Sequence, residues 1–254
     1  ALIPFVFCLL FQGQVLSAQR GSKTYWQQHV DYSILVNVDV STSRYSGRQE
    51  IIYTNNSPDT LSSVFFHLFY NAFIPGSEMD QHSRNLADPD PRVLDKISLL
   101  KKRDQGYLSV SNLSQDGVLV KNTVAGTILE VELNKAVEPG KKTMFKMTFS
   151  GQAPLMVRRA GKNSAEGVSL SMAQWFPKLA EYDYEGWHAD PYIGREFYGV
   201  WGNFDVVINI DKNYTVGGTG YLESKTQNPL NEKIKTWRFK APNVHDFTWA
   251  ADPD

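Results

Sequence analysis

Apolar and polar residues alternate along much of this chain in a way that predicts strands. Tyr32, Ile34, Val36, Val38 and Val40 are interleaved with Ser33, Leu35, Asn37 and Asp39, the period-two pattern of a strand with one buried face. Residues 48–54 continue with strand-forming side chains and end at the turn cluster Asn55-Asn56-Ser57-Pro58-Asp59. Residues 64–70 are a short apolar run suited to a buried strand, so the first three strands read as a meander. Residues 75–91 are polar and broken by Asp88-Pro89-Asp90-Pro91, which predicts an excursion holding one helical turn. Leu129, Val131 and Leu133 alternate, 139–142 form a turn, and Phe145, Met147 and Phe149 alternate again, the pattern of a hairpin. Val206, Ile208 and Ile210 make another strand up to Asp211-Lys212-Asn213. Residues 216–221 follow, and Trp237 to Phe239 reads as the last strand. No helical period persists and no repeat of fixed length occurs. The fold class expected is all-β: a large antiparallel saddle-shaped sheet or a β-sandwich.

The first eighteen residues follow a different rule. Residues 3–11 are almost unbroken apolar sequence, and Leu16-Ser17-Ala18 precedes Gln19. Such a core followed by small residues reads as a secretory signal peptide over 1–18, here without its basic n-region, and is too short to span a bilayer. The expectation is therefore a secreted or periplasmic protein, with no membrane insertion after cleavage. The single cysteine, Cys8, falls inside that segment, so the mature chain offers no disulfide, thiol nucleophile or thiolate ligand.

Composition narrows the partners. With 254 residues, 42% of them hydrophobic, the chain can bury a substantial core. Its 26 basic and 27 acidic side chains nearly cancel, so no global field recruits nucleic acid or an anionic membrane.

The chain's motifs exclude more catalytic chemistry than they suggest. None of His29, His67, His82, His188 and His245 has the H-E-x-x-H spacing that sets two imidazoles one helical turn apart, so no hydrolytic zinc site is expected in this chain. His188 reads as a structural or surface histidine. Gly217-Gly218-Thr219-Gly220 lacks the lysine and helix of a phosphate loop, and there is no G-x-S-x-G elbow. Carboxylates Glu181, Asp183, Glu185 and Asp190 lie close enough in sequence to be weighed as a calcium site or a glycosidase pair. On an extended chain the i, i+2 spacing puts the first three on one side, but nothing else in the chain supports the sugar chemistry. The aromatic and acidic density of residues 174–205 marks a constructed surface.

That stretch carries a family resemblance. W-F-P at Trp175, a Y-D acid run, G-W-H at Gly186, P-Y-I-G-R-E-F-Y-G at Pro191, G-N-F-D-V at Gly202 and the closing V-H-D-F-T-W-A-A-D-P-D resemble the amino-terminal domain of gluzincin zinc aminopeptidases, relatives of membrane alanyl aminopeptidase and leukotriene hydrolase, in their secreted bacterial branch. The resemblance implies a domain over 19–243, a junction at 244–254, and a following catalytic domain that holds the zinc, H-E-x-x-H and the amine-binding strand. It implies a peptidase parent acting on peptides, a partner in that carboxy-terminal domain, and no activity for this chain alone. The family's first domain lends a Gln or Glu, ahead of a Phe-Pro pair, to the substrate's free amine. Phe176-Pro177 matches the pair, but the family's spacing falls near Val168 or Ser169, which leaves Gln174 or Glu166 to bind substrate; Gln174 could instead cap backbone groups at a strand end. A second function class is a stand-alone β-sandwich binding module for peptide or carbohydrate, using Trp175, Tyr184, Trp187 and Trp201 as a platform.

Overall fold

A computed structural model describes residues 25–86, 90–194 and 197–253. The signal-peptide expectation for 1–18, with Cys8 in it, falls outside the described residues, as do Asp88-Pro89, Arg195-Glu196 and Asp254. The chain is 51% strand and 8% helix, which makes it all-β as the alternation predicts.

In chain order come β1 (His29–Asp39), β2 (Arg44–Thr54), β3 (Leu61–His67), one helix α1 (Glu78–Asn85), then β4 (Tyr107–Gln115), β5 (Val118–Leu119), β6 (Asn122–Ala125), β7 (Ile128–Val137) and β8 (Lys142–Gln152). Short strands follow: β9 (Gly161–Lys162), β10 (Leu170–Met172), β11 (Lys178–Leu179), β12 (Tyr182–Asp183) and β13 (Gly186–Trp187). The last are β14 (Gly202–Asp211), β15 (Tyr214–Gly218), β16 (Tyr221–Gln227), β17 (Ile234–Val244) and β18 (Trp249–Pro253). The expected single helical turn is the eight-residue α1, capped by the Ser77 hydroxyl, which accepts from Asp80 N. Buried Asp80 is held in turn by Arg84 one turn on, at 3.0 Å.

The largest sheet runs β16-β17-β14-β1-β2-β8-β4-β5. β1 and β2 are antiparallel from His29 against Thr54 to Asp39 against Arg44. β1 and β14 are parallel, which departs from the purely antiparallel expectation. Burial explains the pairing. Val30, Tyr32, Ile34 and Val36 on β1 and Phe204, Val206 and Ile208 on β14 are buried; Tyr32 and Phe204 stack with ring centroids 4.6 Å apart. Gly202 permits it, because a Cβ there would sit 1.7 Å from the Val30 carbonyl oxygen.

Two expected pairings are not formed. β3 does not continue the meander; it joins a second sheet, β11-β3-β7-β6. Likewise β7 and β8 flank the predicted 139–142 turn but are not a hairpin, since β7 pairs with β3 and β6 while β8 pairs with β2 and β4. In both cases the chain crosses between layers, and Phe66 of β3 meets Phe145 of β8 edge to face at 5.9 Å. Stacking the two apolar faces buries more surface than extending one sheet would. Asn55 fastens the crossing, its amide donating to Asp59 O and Val137 O. A third sheet, β15-β18-β10-β9, sits at one end, so β17 is not the last strand: β18 pairs with both β15 and β10.

Candidate functional site

Residues 173–179 cross from the third sheet to the second, and their path is set by two buried rings. Trp175 and Phe176 are 0% exposed. Trp175 Nε1 donates to Phe247 O at 3.1 Å, and the Trp175 carbonyl accepts from Tyr45 OH at 2.7 Å. Gln49 Nε2 donates to Pro177 O, and Leu179 N donates to the buried Tyr32 hydroxyl at 2.9 Å. These four bonds fix the backbone of the crossing from Trp175 to Leu179.

Gln174 stands just ahead of that anchor in a left-handed backbone conformation, φ 60°. This costs a residue other than glycine about 1 kcal/mol or more. It is 4% exposed, yet it lines a cleft of about 400 Å³ together with Arg159, Phe197, Trp201, His245 and Asp246. Its side chain has no hydrogen-bond partner among the described residues, so the alternative in which it caps backbone groups is not what the geometry shows. Around it, Asp246 Oδ1 accepts from Phe247 N and lies 3.7 Å from Lys178 Nζ. Burial holds the Lys178 ammonium below its ordinary pKa. Arg159 lies over the Phe197 ring, 4.3 Å from its centroid, and Trp201 leans on His245 at 5.4 Å. The cleft therefore offers an amide and a carboxylate that can accept from a cation, a guanidinium for an anion, and aromatic walls. Arg159 carries no periodic or motif signal that would single it out in the sequence, and Asp246 lies in the closing V-H-D-F-T-W segment without being marked there as a binding residue.

Glu166 is elsewhere. It is exposed at the turn between β9 and β10, where Ser164 and Val168 pair across the loop, and it does not line the cleft.

The acidic run 181–190 is a tight hairpin and not an extended chain. β12 and β13 pair Tyr182 with Trp187 and Asp183 with Gly186, and Gly186 has φ 102°. The fold thus separates the first three carboxylates. Glu181 turns inward, and burial pushes its carboxyl up to about 7. Asp183 and Glu185 stay at the turn with His188, all three offering ligand atoms within 4.8 Å of one another. Nearby, burial and the Lys178 charge pull the His67 imidazole down to about 4. The platform of Trp175, Tyr184, Trp187 and Trp201 is not assembled: Trp175 lies in the core, and Trp187 packs on Phe65 and Tyr53. Only Tyr184 and Trp201 of the four are exposed.

Neither a protein-family model nor a curated protein matches this chain in sequence. Solved structures do match in fold. A mutant M1 zinc metallopeptidase from Deinococcus radiodurans aligns with a TM-score of 0.51 at 15% identity, covering 89% of this chain and 42% of that one. The mutant enzyme bound to a Tyr-Ser-Ala substrate gives 0.51 at 14% identity, with the same coverage. This chain therefore shares the fold of part of those metallopeptidases and spans under half of their length.

Proposed function

We propose that this chain is the non-catalytic amino-terminal domain of a secreted zinc metallo-aminopeptidase, which removes amino-terminal residues from peptides, and that it forms one wall of the substrate entrance. The observation that carries the reading is Gln174: a largely buried residue with a left-handed backbone, whose amide has no internal partner and lines a cleft, on a fold shared with M1 zinc metallopeptidases. Backbone strain of that kind is enriched at sites that hold a ligand. In this reading Gln174 Oε1 accepts from the ammonium of the peptide's first residue, Asp246 adds negative charge beside it, and the peptide backbone follows the Trp201 and Phe197 wall.

The zinc of such an enzyme does not fit the residues present here. His29, His67, His188 and His245 lie on strands and loops, and His82, on α1, has no second histidine one turn away, so no helix pairs two imidazoles with a glutamate among the described residues. The metal, the water it activates and the general base belong in this proposal to the adjoining catalytic domain. This chain alone is then inactive, and its own work is to bind and orient the amine.

The test uses the chain joined to its H-E-x-x-H partner domain. Gln174→Ala should lower kcat/KM for peptides with a free amino terminus by about 10- to 100-fold, the loss of one hydrogen bond to a charged group. Zinc content should be unchanged, and Glu166→Ala should act as the parent, because its side chain lies outside the cleft. Full activity in Gln174→Ala, or coding sequence after Asp254 that carries no H-E-x-x-H, would remove the proposal.

A further inference from the structure

We infer that Asp183, Glu185 and His188 form a binding site for one divalent transition-metal ion, in this chain and apart from any catalytic zinc. Their ligand atoms lie within 4.8 Å of one another. An ion bound at about 2.0–2.2 Å by nitrogen and oxygen holds neighbouring ligand atoms about 3–4 Å apart, so closure needs shifts of an ångström or less. The contact between His188 Nε2 and Asp183 Oδ1 points the same way. They are 2.9 Å apart, which suits adjacent ligands of one ion. Nε2 is buried, and the polar atom beside it is that carboxylate oxygen, with which it forms an ion pair but no well-directed hydrogen bond.

Charge and rigidity support it. Among the described residues neither Asp183 nor Glu185 pairs with a lysine or arginine, and His188 is the basic group in contact with Asp183. Asp183 is oriented from behind: Glu185 N donates to Oδ1 at 2.8 Å and Tyr198 OH donates to Oδ2 at 3.1 Å. All three ligands come from six consecutive residues whose turn is fixed by Gly186, so little chain entropy is lost on binding. One imidazole with two carboxylates suits zinc, cobalt or manganese; calcium prefers an all-oxygen shell. The ion would also act as a brace. Tyr198 stands edge-on to His188 at 4.8 Å, and three residues later Trp201 walls the Gln174 cleft.

The site stands whether or not the peptidase reading holds. The test strips the full chain with a chelator and titrates it with Co²⁺, Zn²⁺ and Ca²⁺ by calorimetry, with the visible absorption of bound Co²⁺ as a second reading. We expect one Co²⁺ per chain, displaced by Zn²⁺, with Ca²⁺ at least tenfold weaker, and a rise in Tm with Zn²⁺. Glu185→Gln, at an exposed position with no structural bond from its side chain, and Asp183→Asn should each weaken Co²⁺ binding about tenfold or more and abolish the Tm rise. His82→Gln, on α1, should change nothing. No binding at millimolar Co²⁺, unchanged affinity in Glu185→Gln, or loss of binding in His82→Gln would overturn the assignment, and tighter Ca²⁺ than Zn²⁺ would overturn the class of ion.

Discussion

Replacing Glu181 with Gln should give this chain a stability that climbs with pH between 4.5 and 6.5, where the parent is nearly flat. Two buried groups of opposite sign meet in that window. Burial raises the Glu181 carboxyl from 4.5 to about 7, so the folded chain keeps a proton that the unfolded chain has released, and stability falls as pH rises from 4.5 towards 7. Burial lowers the His67 imidazole from 6.5 to about 4, so the unfolded chain binds a proton that the folded chain refuses. Its contribution is complete above 6.5 and is lost as pH falls towards 4. Each slope approaches about 1.4 kcal/mol per pH unit at its steepest. Because the Glu181 surroundings are partly wet, its slope is discounted, which leaves an effect of about 2 kcal/mol across the window. The groups facing Glu181 are Lys178, Asp183 and His188, and none is removed by the change. Gln keeps an oxygen for the bond that Tyr182 N donates. Urea unfolding of parent and Glu181→Gln at pH 4.5, 5.5 and 6.5 reads the difference directly, and acid-titrating carboxylates such as Asp183 and Asp205 cancel from it. A parent-to-variant difference that stays constant within 0.5 kcal/mol across the window, about a quarter of the expected effect, would refute the opposed-burial reasoning.

Tyr32→Phe removes the hydroxyl that accepts from Leu179 N inside the core, and urea unfolding should show a loss of about 1–3 kcal/mol. Gly202→Ala forces a Cβ into the Val30 carbonyl, and the expected outcome is insoluble protein or a loss above about 3 kcal/mol with β1 amides exchanging early; native-like exchange there would contradict the parallel pairing. Gln174→Gly relieves the left-handed backbone and should raise stability by about 1 kcal/mol while depressing peptidase activity in the joined protein as Gln174→Ala does.

What the sequence shows and what it hides have separate physical causes. β1 and β14 are legible because each buries one face, so their side chains alternate over ten residues or so. The strands β9 to β13 span two or three residues each, too short for any period to appear. Pairing is legible only where a tight turn forces it, as in β1 and β2; where the chain changes layers, after Asn55 and after Pro139, the same turn residues serve a crossing. The acidic hairpin is hidden for a related reason. On a straight strand 181, 183 and 185 share a side, but a turn at Tyr184-Glu185 sends Glu181 into the interior and leaves His188 to take its place. Gln174 stands out in the sequence only as an available glutamine ahead of the Phe176-Pro177 pair, off the spacing that the family resemblance implies, since a positive φ at glutamine leaves no trace in composition.

The parallel contact of β1 with β14 also sets a clock on biosynthesis. Asn203 bonds to Asp31 across 172 residues of sequence, and β8 reaches β2 across about a hundred. At a synthesis rate of roughly 5–20 residues per second, β1 waits some 10–35 s for its partner after it has been made. During that wait the β1–β2 pair presents an unpaired edge beside the naked faces of Val30, Tyr32 and Ile34, a template for any other strand that arrives first. Until β14 arrives, whether at the ribosome or after export, soluble yield should depend on keeping that edge covered.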